Sequence, residues 1–319
     1  MPTLLITGGA GFIGGHTAEA AIRQGWNVRL LDDLSTGLAD KAAHLEGLGA
    51  EVIIGDIQDA GTVHAAMKGC DAVVHLAAQV SVPRSMEYPE ETIDINVGGT
   101  ANLLEACRAT DVSRFVMASS AAVYGTNDAF PLNEAHAGVF HSHYADSKWQ
   151  NEHQVQEAKQ AGMEAVALRF FNVYGTGQRS DGAYAAVIPK FIELAVDGKA
   201  PTIFGDGLQT RDFVHVDDVA NALLTLAIEP WKSDLEHVYN VCTQTEVSLL
   251  DLLESIHSVL ENVASDIPRK PPHHAAERAG DIARSVGSNS RFVRDTPWSP
   301  KVVFAQGLRQ QIIDTIKDA

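Results

Sequence analysis

A tyrosine and a lysine, Tyr144 and Lys148, stand four residues apart in a segment whose pattern is that of the start of a helix. This spacing places both side chains on one helical face. A phenol is a poor base near neutral pH because its unperturbed pKa is about 10, but a neighbouring ammonium group stabilises the phenolate and lowers that pKa. Tyr144 would then remove a proton from an alcohol. Such pairs also occur by chance on exposed helices, so this one indicates chemistry only if the chain also binds a cofactor.

A glycine-rich segment near the start of the chain predicts a dinucleotide site. Residues 2–31 have the pattern of a strand, a turn, a helix and a second strand, and Gly9, Gly11 and Gly14 follow the dinucleotide-binding pattern at the turn. Glycines permit the tight turn and let the backbone approach a pyrophosphate, which then lies on the N-terminus of the helix. The residues expected to contact the cofactor here are Gly8, Gly11, Phe12, Ile13 and Gly14.

An acidic residue, Asp32, ends the second predicted strand, 18 residues after Gly14. A carboxylate at this position accepts hydrogen bonds from the ribose hydroxyls of NAD and repels the additional phosphate of NADP. NAD is therefore the predicted cofactor. The adjacent Asp33 opens a stretch with the composition of a loop, so we expect a turn residue there that also lies near the adenosine.

The elements that position these residues alternate between strands and helices. Further strands are predicted at 51–54, 72–76, 114–118 and 165–168, and helices near 61–68, 89–108 and 144–161. This alternation predicts a Rossmann-type α/β fold, a doubly wound parallel sheet covered by helices on both faces. Functional residues are then expected after the carboxyl ends of strands, where Asp56, Ala77, Ala78, Ser119 and Ser120 fall.

Past residue 170 the pattern loosens into loops and separate helices, predicted at 182–196, 216–228, 248–260 and 305–316. The expected division is an NAD-binding Rossmann domain at 1–172 and about 210–242, and a smaller, discontinuous α/β lobe that binds substrate at about 173–209 and 243–319. Arginines that converge can clamp an anionic ligand bidentately. The candidates in these loops are Arg179, Arg211, Arg269, Arg278 and Arg284.

The composition is that of an ordinary globular protein with an acidic surface. The 24 basic and 41 acidic residues give a formal net charge of −17, which disfavours nucleic acid and anionic membranes as partners. The first apolar run is too short for a signal peptide or a membrane span, so a cytoplasmic location is expected. Cys70, Cys107 and Cys242 lack Cys-x-x-Cys spacing and are predicted to be buried thiols. His141 and His143 have no third ligand in view, so no metal site is predicted.

Sequence motifs extend along nearly the whole chain: TGGAGFIG (7–14), LLDDLSTG (30–37), GDI (55–57), HLAA (75–78), SSAAVYG (119–125), YADSK (144–148), RFFNVYG (169–175), RDFVHVDDVA (211–220) and RAGD (278–281). Jointly they resemble those of the extended short-chain dehydrogenase/reductases, specifically the nucleotide-sugar epimerase and dehydratase family. The resemblance implies an NAD-dependent enzyme that acts on a UDP-sugar and forms a homodimer.

The resemblance also implies a role for each matching position. Tyr144 would be the catalytic base and acid, Lys148 would bind the nicotinamide ribose and lower the pKa of the tyrosine, and Ser120 would hydrogen-bond the reacting sugar hydroxyl. Further cofactor contacts are implied for Asp56, on the adenine, and for Ile57, Leu76, Ala77 and Ala78. Implied substrate contacts are Asn172, Arg211 and Arg278 around the UDP diphosphate, Asp281 near a ribose, and Arg84, Ala186, Val187, Phe204 and Ser285.

The residues that follow Ser120 favour one reaction of the family. Similar 4,6-dehydratases carry Thr-Asp-Glu where this chain has Ser120-Ala121-Ala122, and UDP-glucuronate decarboxylases usually have a glutamate near Ala122. With no acid there to expel water, epimerisation at C4 is the expected reaction. Tyr144 would take the C4 hydroxyl proton while NAD takes the hydride from C4. The ring of the 4-keto sugar would then rotate, and the hydride would return to its other face and the proton to the C4 oxygen.

Two stretches, 81–85 and 182–190, resemble the UDP-N-acetylglucosamine 4-epimerase branch. In this family the position seven after Arg278 gates the sugar pocket, where a tyrosine excludes N-acetyl groups; here it is Ser285. The expected substrates are UDP-GlcNAc and UDP-GalNAc, with UDP-glucose and UDP-galactose also accepted. The alternatives are a UDP-glucuronate epimerase with Arg84 as the additional cation, another nucleotide-sugar oxidoreductase, and an NAD-binding sensor without turnover.

Overall fold

The computed structural model describes residues 1–181, 186–231, 235–277 and 280–318. The strands, in chain order, are β1 (Thr3–Thr7), β2 (Asn27–Asp32), β3 (Glu51–Ile54), β4 (Ala72–His75), β5 (Arg114–Ser120), β6 (Glu164–Phe170), β7 (Asn172–Tyr174), β8 (Thr202–Phe204), β9 (Thr210–Arg211), β10 (Phe213–His215), β11 (Val238–Val241), β12 (Val247–Ser248), β13 (His273–Ala275) and β14 (Arg284–Ser285). The α-helices are α1 (Phe12–Arg23), α2 (Ala39–Gly47), α3 (Ala60–Met67), α4 (Val82–Glu87), α5 (Pro89–Ile93), α6 (Gly99–Ala109), α7 (His143–Gln160), α8 (Val187–Val196), α9 (Val216–Ile228), α10 (Leu249–Val263), α11 (Ser290–Asp295) and α12 (Phe304–Asp318).

The central sheet has seven strands in the order β11-β6-β5-β4-β1-β2-β3, and every neighbouring pair is parallel. The chain winds outward from β1 to β3 and then returns to continue from β4 on the other side of β1. The carboxyl ends of β1 and β4 therefore flank the point where the strand order reverses, which is where open α/β sheets bind their ligands. The predicted Rossmann-type α/β fold is confirmed.

Both faces of the sheet are buried, and β1 shows how. Leu4 and Ile6 belong to the hydrophobic cluster on one face, and Leu5 belongs to the cluster on the other. Successive side chains of a strand point to opposite faces, so a strand covered on both sides must be apolar at every position. This requirement explains the uninterrupted apolar run at the start of the chain.

A separate hydrophobic cluster joins α8, α10 and α12. Its buried members include Phe191 from α8, Ile256 from α10 and Leu308 from α12. The division of the chain into a dinucleotide-binding domain and a smaller lobe stays a prediction, which this separate cluster supports.

The single helix predicted at 89–108 is interrupted in the structure. A π-helical turn at Asp94–Gly98 separates α5 from α6. The turn contains the buried Asn96, whose side chain accepts a hydrogen bond from the amide of Gln79 at 2.8 Å and donates one to the hydroxyl of Ser147 at 2.9 Å. Because Ser147 lies on α7, the interruption links this segment to the helix that carries Tyr144 and Lys148.

Cys70, Cys107 and Cys242 are buried free thiols, as predicted. In the parts of the chain that the structure describes, no three or more His, Cys, Asp or Glu side chains are grouped so that they could hold a metal ion. Within the same parts, none of the helices combines the length and the apolar character needed to cross a membrane.

Candidate active site

Helix α7 positions the predicted catalytic pair against the end of β5. The helix starts at a capping residue, Ser142, whose hydroxyl accepts a hydrogen bond from the amide of Ala145 at 3.1 Å. The Lys148 Nζ donates to the carbonyl oxygen of Ala118 at 2.9 Å and lies 6.0 Å from the centre of the Tyr144 ring. The structure therefore places both side chains on one face of α7.

Ser120, the last residue of β5, completes the group, because its side chain hydrogen-bonds Tyr144. The same hydroxyl accepts a hydrogen bond from the amide of Ala122 at 3.1 Å, and this contact caps the short 3₁₀ turn at Ala121–Tyr124. A side chain that also caps a turn has a restricted orientation. The three residues predicted to be catalytic are thus brought together.

Burial controls the electrostatics of this group. It raises the pKa of Tyr144, against the lowering effect of the hydrogen bond from Ser120. Burial also lowers the pKa of Lys148 to about 8, although the charge of Glu152 acts in the opposite direction. Lys148 thus remains mostly protonated at neutral pH. The net effect of the protein's own groups is to raise the pKa of Tyr144. The lowering predicted from the sequence refers to the site with oxidised nicotinamide and stays a prediction.

The glycine turn after β1 packs closely against neighbouring backbone because it lacks side chains. Gly8 has a φ of +68°, and a Cβ there would lie 2.7 Å from the amide nitrogen of Ala77. A Cβ on Gly14 would lie 2.1 Å from the carbonyl oxygen of Gly8. Helix α1 starts after Gly11 without a side-chain cap, so the amides of its first turn, from Phe12 and Ile13 onward, lack a capping acceptor. Such a helix end suits the pyrophosphate of NAD.

Asp32 connects the end of β2 to the glycine turn. Its side chain is buried, and one carboxylate oxygen accepts from the amide of Ala10 and the other from the amide of Leu34, both at 2.9 Å. Burial raises the pKa of Asp32, and the two backbone hydrogen bonds oppose that shift. A carboxylate has about four acceptor positions, so the group retains capacity for ribose hydroxyls. Asp33 is exposed and accepts from Ser35, as expected of a turn residue.

The remaining predicted cofactor residues lie along the same edge of the sheet. Asp56 follows β3 and accepts hydrogen bonds from the amide and side chain of Gln58 at 2.8 and 2.9 Å. After β4, the amide of Leu76 donates to the carbonyl of Thr7 at 3.0 Å, and the amide of Ala77 donates to the Thr7 hydroxyl at 3.3 Å. Ile57 is buried, whereas Leu76, Ala77 and Ala78 are partly buried.

Two predicted substrate residues lie on paired short strands, and a third, Asp281, contacts one of them. Ser285 of β14 lies in register with Arg211 of β9. The Arg211 guanidinium donates to a carboxylate oxygen of Asp281 at 2.7 Å and to the carbonyl of Ile282 at 2.6 Å. Burial lowers the pKa of Arg211, and Asp281 counteracts this effect. Ser285 is buried beside this arrangement.

Other predicted substrate residues are more dispersed. Asn172 is exposed at the start of β7, Ala186 and Val187 lie at the start of α8, and Phe204 ends β8. Arg84 lies on α4, where its guanidinium contacts both carboxylate oxygens of Glu91 at 2.8 and 3.1 Å on the protein surface. Arg278 lies outside the described residues.

Most of the other candidate arginines are paired on the surface rather than gathered at one point. Arg179 pairs with Asp181, and Arg269 pairs with Glu254. Arg284 pairs with Glu246 and is next to Ser285. Among the predicted arginines, Arg211 and Arg284 are neighbours, because they lie on the paired strands β9 and β14.

One buried residue of this region was given no role from the sequence. Asp212 accepts hydrogen bonds from the amide and hydroxyl of Thr243 at 2.8 and 2.7 Å, and from the amides of Gln244 and Gly287 at 2.9 and 3.3 Å. Burial raises its pKa, and these hydrogen bonds oppose the shift. Asp212 therefore fixes the segments beside Arg211 and Ser285. The sequence feature that could have identified Asp212 is its position in the RDFVHVDDVA motif, directly after Arg211.

The sequence model of the NAD dependent epimerase/dehydratase family matches residues 4–242. The chain belongs to this family. The UDP-glucose 4-epimerase of Mycolicibacterium smegmatis is 34% identical over 312 residues, which cover 97% of this chain and 96% of the relative. The resemblance predicted from the motifs, and NAD as the cofactor of the family, are confirmed.

Two solved structures of family members extend the comparison. A UDP-N-acetylglucosamine 4-epimerase from Methanobrevibacter ruminantium, in complex with UDP-N-acetylmuramic acid, has a TM-score of 0.91 and 34% identity and covers 100% of this chain and 99% of its own. A UDP-glucose 4-epimerase from Thermus thermophilus, in complex with NAD, has a TM-score of 0.83 and 34% identity over 98% of both chains.

Proposed function

We propose that this protein is an NAD-dependent 4-epimerase of UDP-hexoses, acting on UDP-GlcNAc and UDP-GalNAc and also on UDP-glucose and UDP-galactose. The observation that carries the proposal is the group formed by Tyr144, Lys148 and Ser120 beside the glycine turn. It joins a proton acceptor, a cation and an orienting hydroxyl at the edge of the sheet where NAD binds in this fold.

Tyr144 moves the proton in the proposed reaction. Its phenolate accepts the proton of the sugar C4 hydroxyl and later returns it to the C4 oxygen, so the tyrosine ends each cycle as it began. When bound, NAD would supply the acceptor for the C4 hydride and the source of the hydride for the return step. Ser120 orients the reacting hydroxyl toward Tyr144 through its own hydroxyl group.

Lys148, together with the oxidised nicotinamide when NAD is bound, is proposed to supply the positive charge that stabilises the phenolate. With a pKa of about 8 it is a cation at neutral pH, and a cation near a phenol favours the ionised form. Its hydrogen bond to Ala118 limits the positions that the ammonium group adopts. The lysine therefore acts through Tyr144 and through the ribose that it is proposed to bind.

The UDP group needs a firm anchor because the ring of the keto sugar must rotate while the UDP group stays bound. Arg211 suits this role, since Asp281 and the Ile282 carbonyl hold its guanidinium in one orientation and leave other N–H donors for phosphate. Asn172 and Arg278 are proposed, from the family resemblance alone, to bind the same diphosphate. The small Ser285 would leave space for an N-acetyl group, and the likeness to the Methanobrevibacter enzyme supports this choice.

Two features disfavour the other reactions. The 3₁₀ turn after Ser120 carries Ala121 and Ala122, so it offers no carboxyl group to expel water, as a dehydratase requires. Arg84, the cation that a UDP-glucuronate epimerase would use, is engaged by Glu91. A sensor without turnover would have no need of an intact Ser120, Tyr144 and Lys148 group.

We also propose a cytoplasmic location and a homodimer. The net charge of −17 supports a protein that avoids anionic membranes and nucleic acids. The homodimer rests on the family resemblance, which pairs the helices that correspond here to α5, α6 and α7.

The direct test is to incubate the purified protein with each UDP-sugar and resolve the C4 epimers by NMR. The expected result is interconversion of UDP-GlcNAc and UDP-GalNAc without net consumption of NAD. Conversion of UDP-glucuronate and of no other sugar would instead indicate a UDP-glucuronate epimerase. Retention of NAD with no epimer formed from any sugar would instead favour the sensor.

A further inference from the structure

The last three residues of β5 each contact one residue of α7, and the three α7 residues are spaced one helical turn apart. The Ser120 side chain hydrogen-bonds Tyr144, and the Ala118 carbonyl accepts from Lys148. The hydroxyl of Ser119 donates to a carboxylate oxygen of Glu152 at 2.5 Å. Residues four apart lie on one face of a helix, so Glu152 continues the row formed by the catalytic pair.

Glu152 is a buried carboxylate with a fixed orientation. Only 3% of its surface is exposed, and it forms a two-point pair with Arg169 of β6, with N–O distances of 2.8 and 2.7 Å. Such bidentate pairs restrict both side chains more than a single contact does. The third contact, from Ser119, completes the set.

Arg169 is itself held from several sides. Its other terminal nitrogen donates to the Tyr124 hydroxyl and to the Glu134 carbonyl, both at 2.9 Å. The guanidinium lies 5.0 Å from the ring centre of Tyr124 and 5.8 Å from that of Trp149. Burial alone would lower the pKa of Arg169, but the hydrogen bonds and charge of Glu152 raise it. The arginine therefore stays charged and keeps Glu152 in place.

We propose that Glu152 is a positioning residue for the catalytic pair: Arg169 and Ser119 hold its carboxylate beside the end of β5, one helical turn after Lys148, so that it fixes α7 against the strand that carries Ser120. This inference rests on the proposed function, because it assigns Glu152 a role through the position of the catalytic pair. Glu152 itself touches neither substrate nor cofactor in this proposal.

Burial and the charge of Glu152 act on Lys148 in opposite directions. Burial opposes the ammonium form, and Glu152 is the acidic group that counteracts it. Tyr144 on α7 and His75 on β4 are also near Lys148: the Tyr144 ring centre lies 6.0 Å from its ammonium group, and the charge of the lysine acts on His75. Burial lowers the pKa of His75 to about 3, so it is neutral wherever the enzyme would work. From the segment between α5 and α6, Asn96 contributes an uncharged amide.

The test is to measure the pKa of Lys148 directly in a Glu152→Gln variant. Protein labelled with ¹³C at the lysine ε-carbon is titrated by NMR, and the Lys148 resonance is assigned by its loss in Lys148→Arg. Removal of one nearby opposite charge should lower the Lys148 pKa by about one unit. The alkaline limb of the pH profile of epimerisation should move to lower pH by the same amount. An unchanged Lys148 pKa in Glu152→Gln would overturn the proposal, because a carboxylate held at this position acts on the lysine.

Two further variants keep the result interpretable. A Glu152→Gln/Arg169→Gln double variant removes both buried charges and avoids an unpaired Arg169; it should still lower the Lys148 pKa, by a smaller amount. Asp218→Asn is the matched control, since Asp218 is also buried but accepts from the amides of Lys301 and Val302, and it should leave the Lys148 pKa unchanged. If the Lys148 pKa falls while the unmodified protein epimerises no sugar, the proposed function fails and the positioning role of Glu152 stands.

Discussion

The ammonium group of Lys148 donates a hydrogen bond to the carbonyl oxygen of Ala118 at 2.9 Å. This contact joins α7 to β5 two residues before Ser120, so the lysine and the serine are fixed to the same strand end. Tyr144, one turn before Lys148, is thereby placed between a cation and a hydroxyl. Proton transfer by Tyr144 is the feature of the proposed mechanism on which the other roles depend.

Replacement of Tyr144 by phenylalanine should abolish epimerisation while NAD binding persists. The change removes the hydroxyl that carries the proton, and general acid–base catalysis typically contributes a factor of about 10² to 10⁴ in rate. NAD binding should persist because the cofactor is expected to contact the glycine turn and Asp32. Bound NAD is measured after denaturation, and turnover is measured by NMR.

The conclusion from this variant depends on its fold being intact. The melting temperature of Tyr144→Phe should stay close to that of the unmodified protein. A folded variant that retains more than about a tenth of the turnover would contradict the assignment of Tyr144 as acid and base.

Replacement of Gly14 by alanine should prevent the glycine turn from closing. The new Cβ would lie 2.1 Å from the Gly8 carbonyl oxygen and 2.8 Å from the Gly9 Cα, which are backbone atoms that cannot rotate away. Overpacking of this kind costs about 1–3 kcal/mol of folding stability. We expect a lower free energy of unfolding in urea and a loss of NAD affinity of about fivefold to 150-fold, which corresponds to the same range of free energy.

Gly47→Ala is the matched control for this prediction. Gly47 ends α2, and a Cβ there would meet no atom within 4 Å. The substitution should leave NAD affinity unchanged and should slightly stabilise the protein, because alanine restricts the unfolded chain. Equal behaviour of the two variants would show that the close approach at Gly14 does not shape the cofactor site.

His75 should make the folded protein sensitive to acid. Its ring nitrogens contact the hydroxyls of Thr7 at 2.7 Å and Thr100 at 3.0 Å, and burial lowers its pKa to about 3. In the unfolded chain the pKa is about 6.5. Between these values the unfolded state binds a proton that the folded state does not, so stability falls as pH falls from about 6.5 towards 3.

A His75→Gln variant isolates this contribution. Glutamine keeps a donor and an acceptor but does not titrate, so the variant should lose less stability than the unmodified protein between pH 6.5 and 5. Its stability at pH 7.5 is expected to be lower because the hydrogen bonds are less well placed. The measurement is urea unfolding at several pH values, and parallel pH curves for the two proteins would refute the role of His75.

The six strands from β1 to β6 could be predicted from the sequence because each is an apolar run that alternates with a helical segment, and most of them are buried on both faces. The edge strand β11 and the short strands β7 to β10 and β12 to β14 were not predicted, because they lie where the regular alternation of strands and helices has ended and are too short to be recognised by periodicity alone. The interruption of the helix at Asp94–Gly98 was also not predicted. Hydrophobic spacing reports which face is buried, not the local hydrogen-bond register.

The same limit applies to the candidate site. Tyr144 and Lys148 were predicted because their spacing along the chain is the signal. The contact of Glu152 with Arg169 joins residues 17 positions apart on α7 and β6, and Asp212 reaches Thr243 across 31 positions. No local pattern records such pairs, because they depend on how the helices and strands pack. The supporting contacts of the site therefore required the structure.

Replacement of Ser285 by tyrosine should narrow the choice of sugar. Ser285 is 9% exposed and lies in register with Arg211, so a larger side chain must occupy space beside the proposed UDP anchor. We expect kcat/KM for UDP-GlcNAc to fall at least tenfold, while that for UDP-glucose changes less because this sugar lacks the N-acetyl group. Both values are measured on the same preparation, so a general folding defect would lower them equally. Unchanged turnover of UDP-GlcNAc in the folded variant would rule out Ser285 as the residue that admits the N-acetyl group.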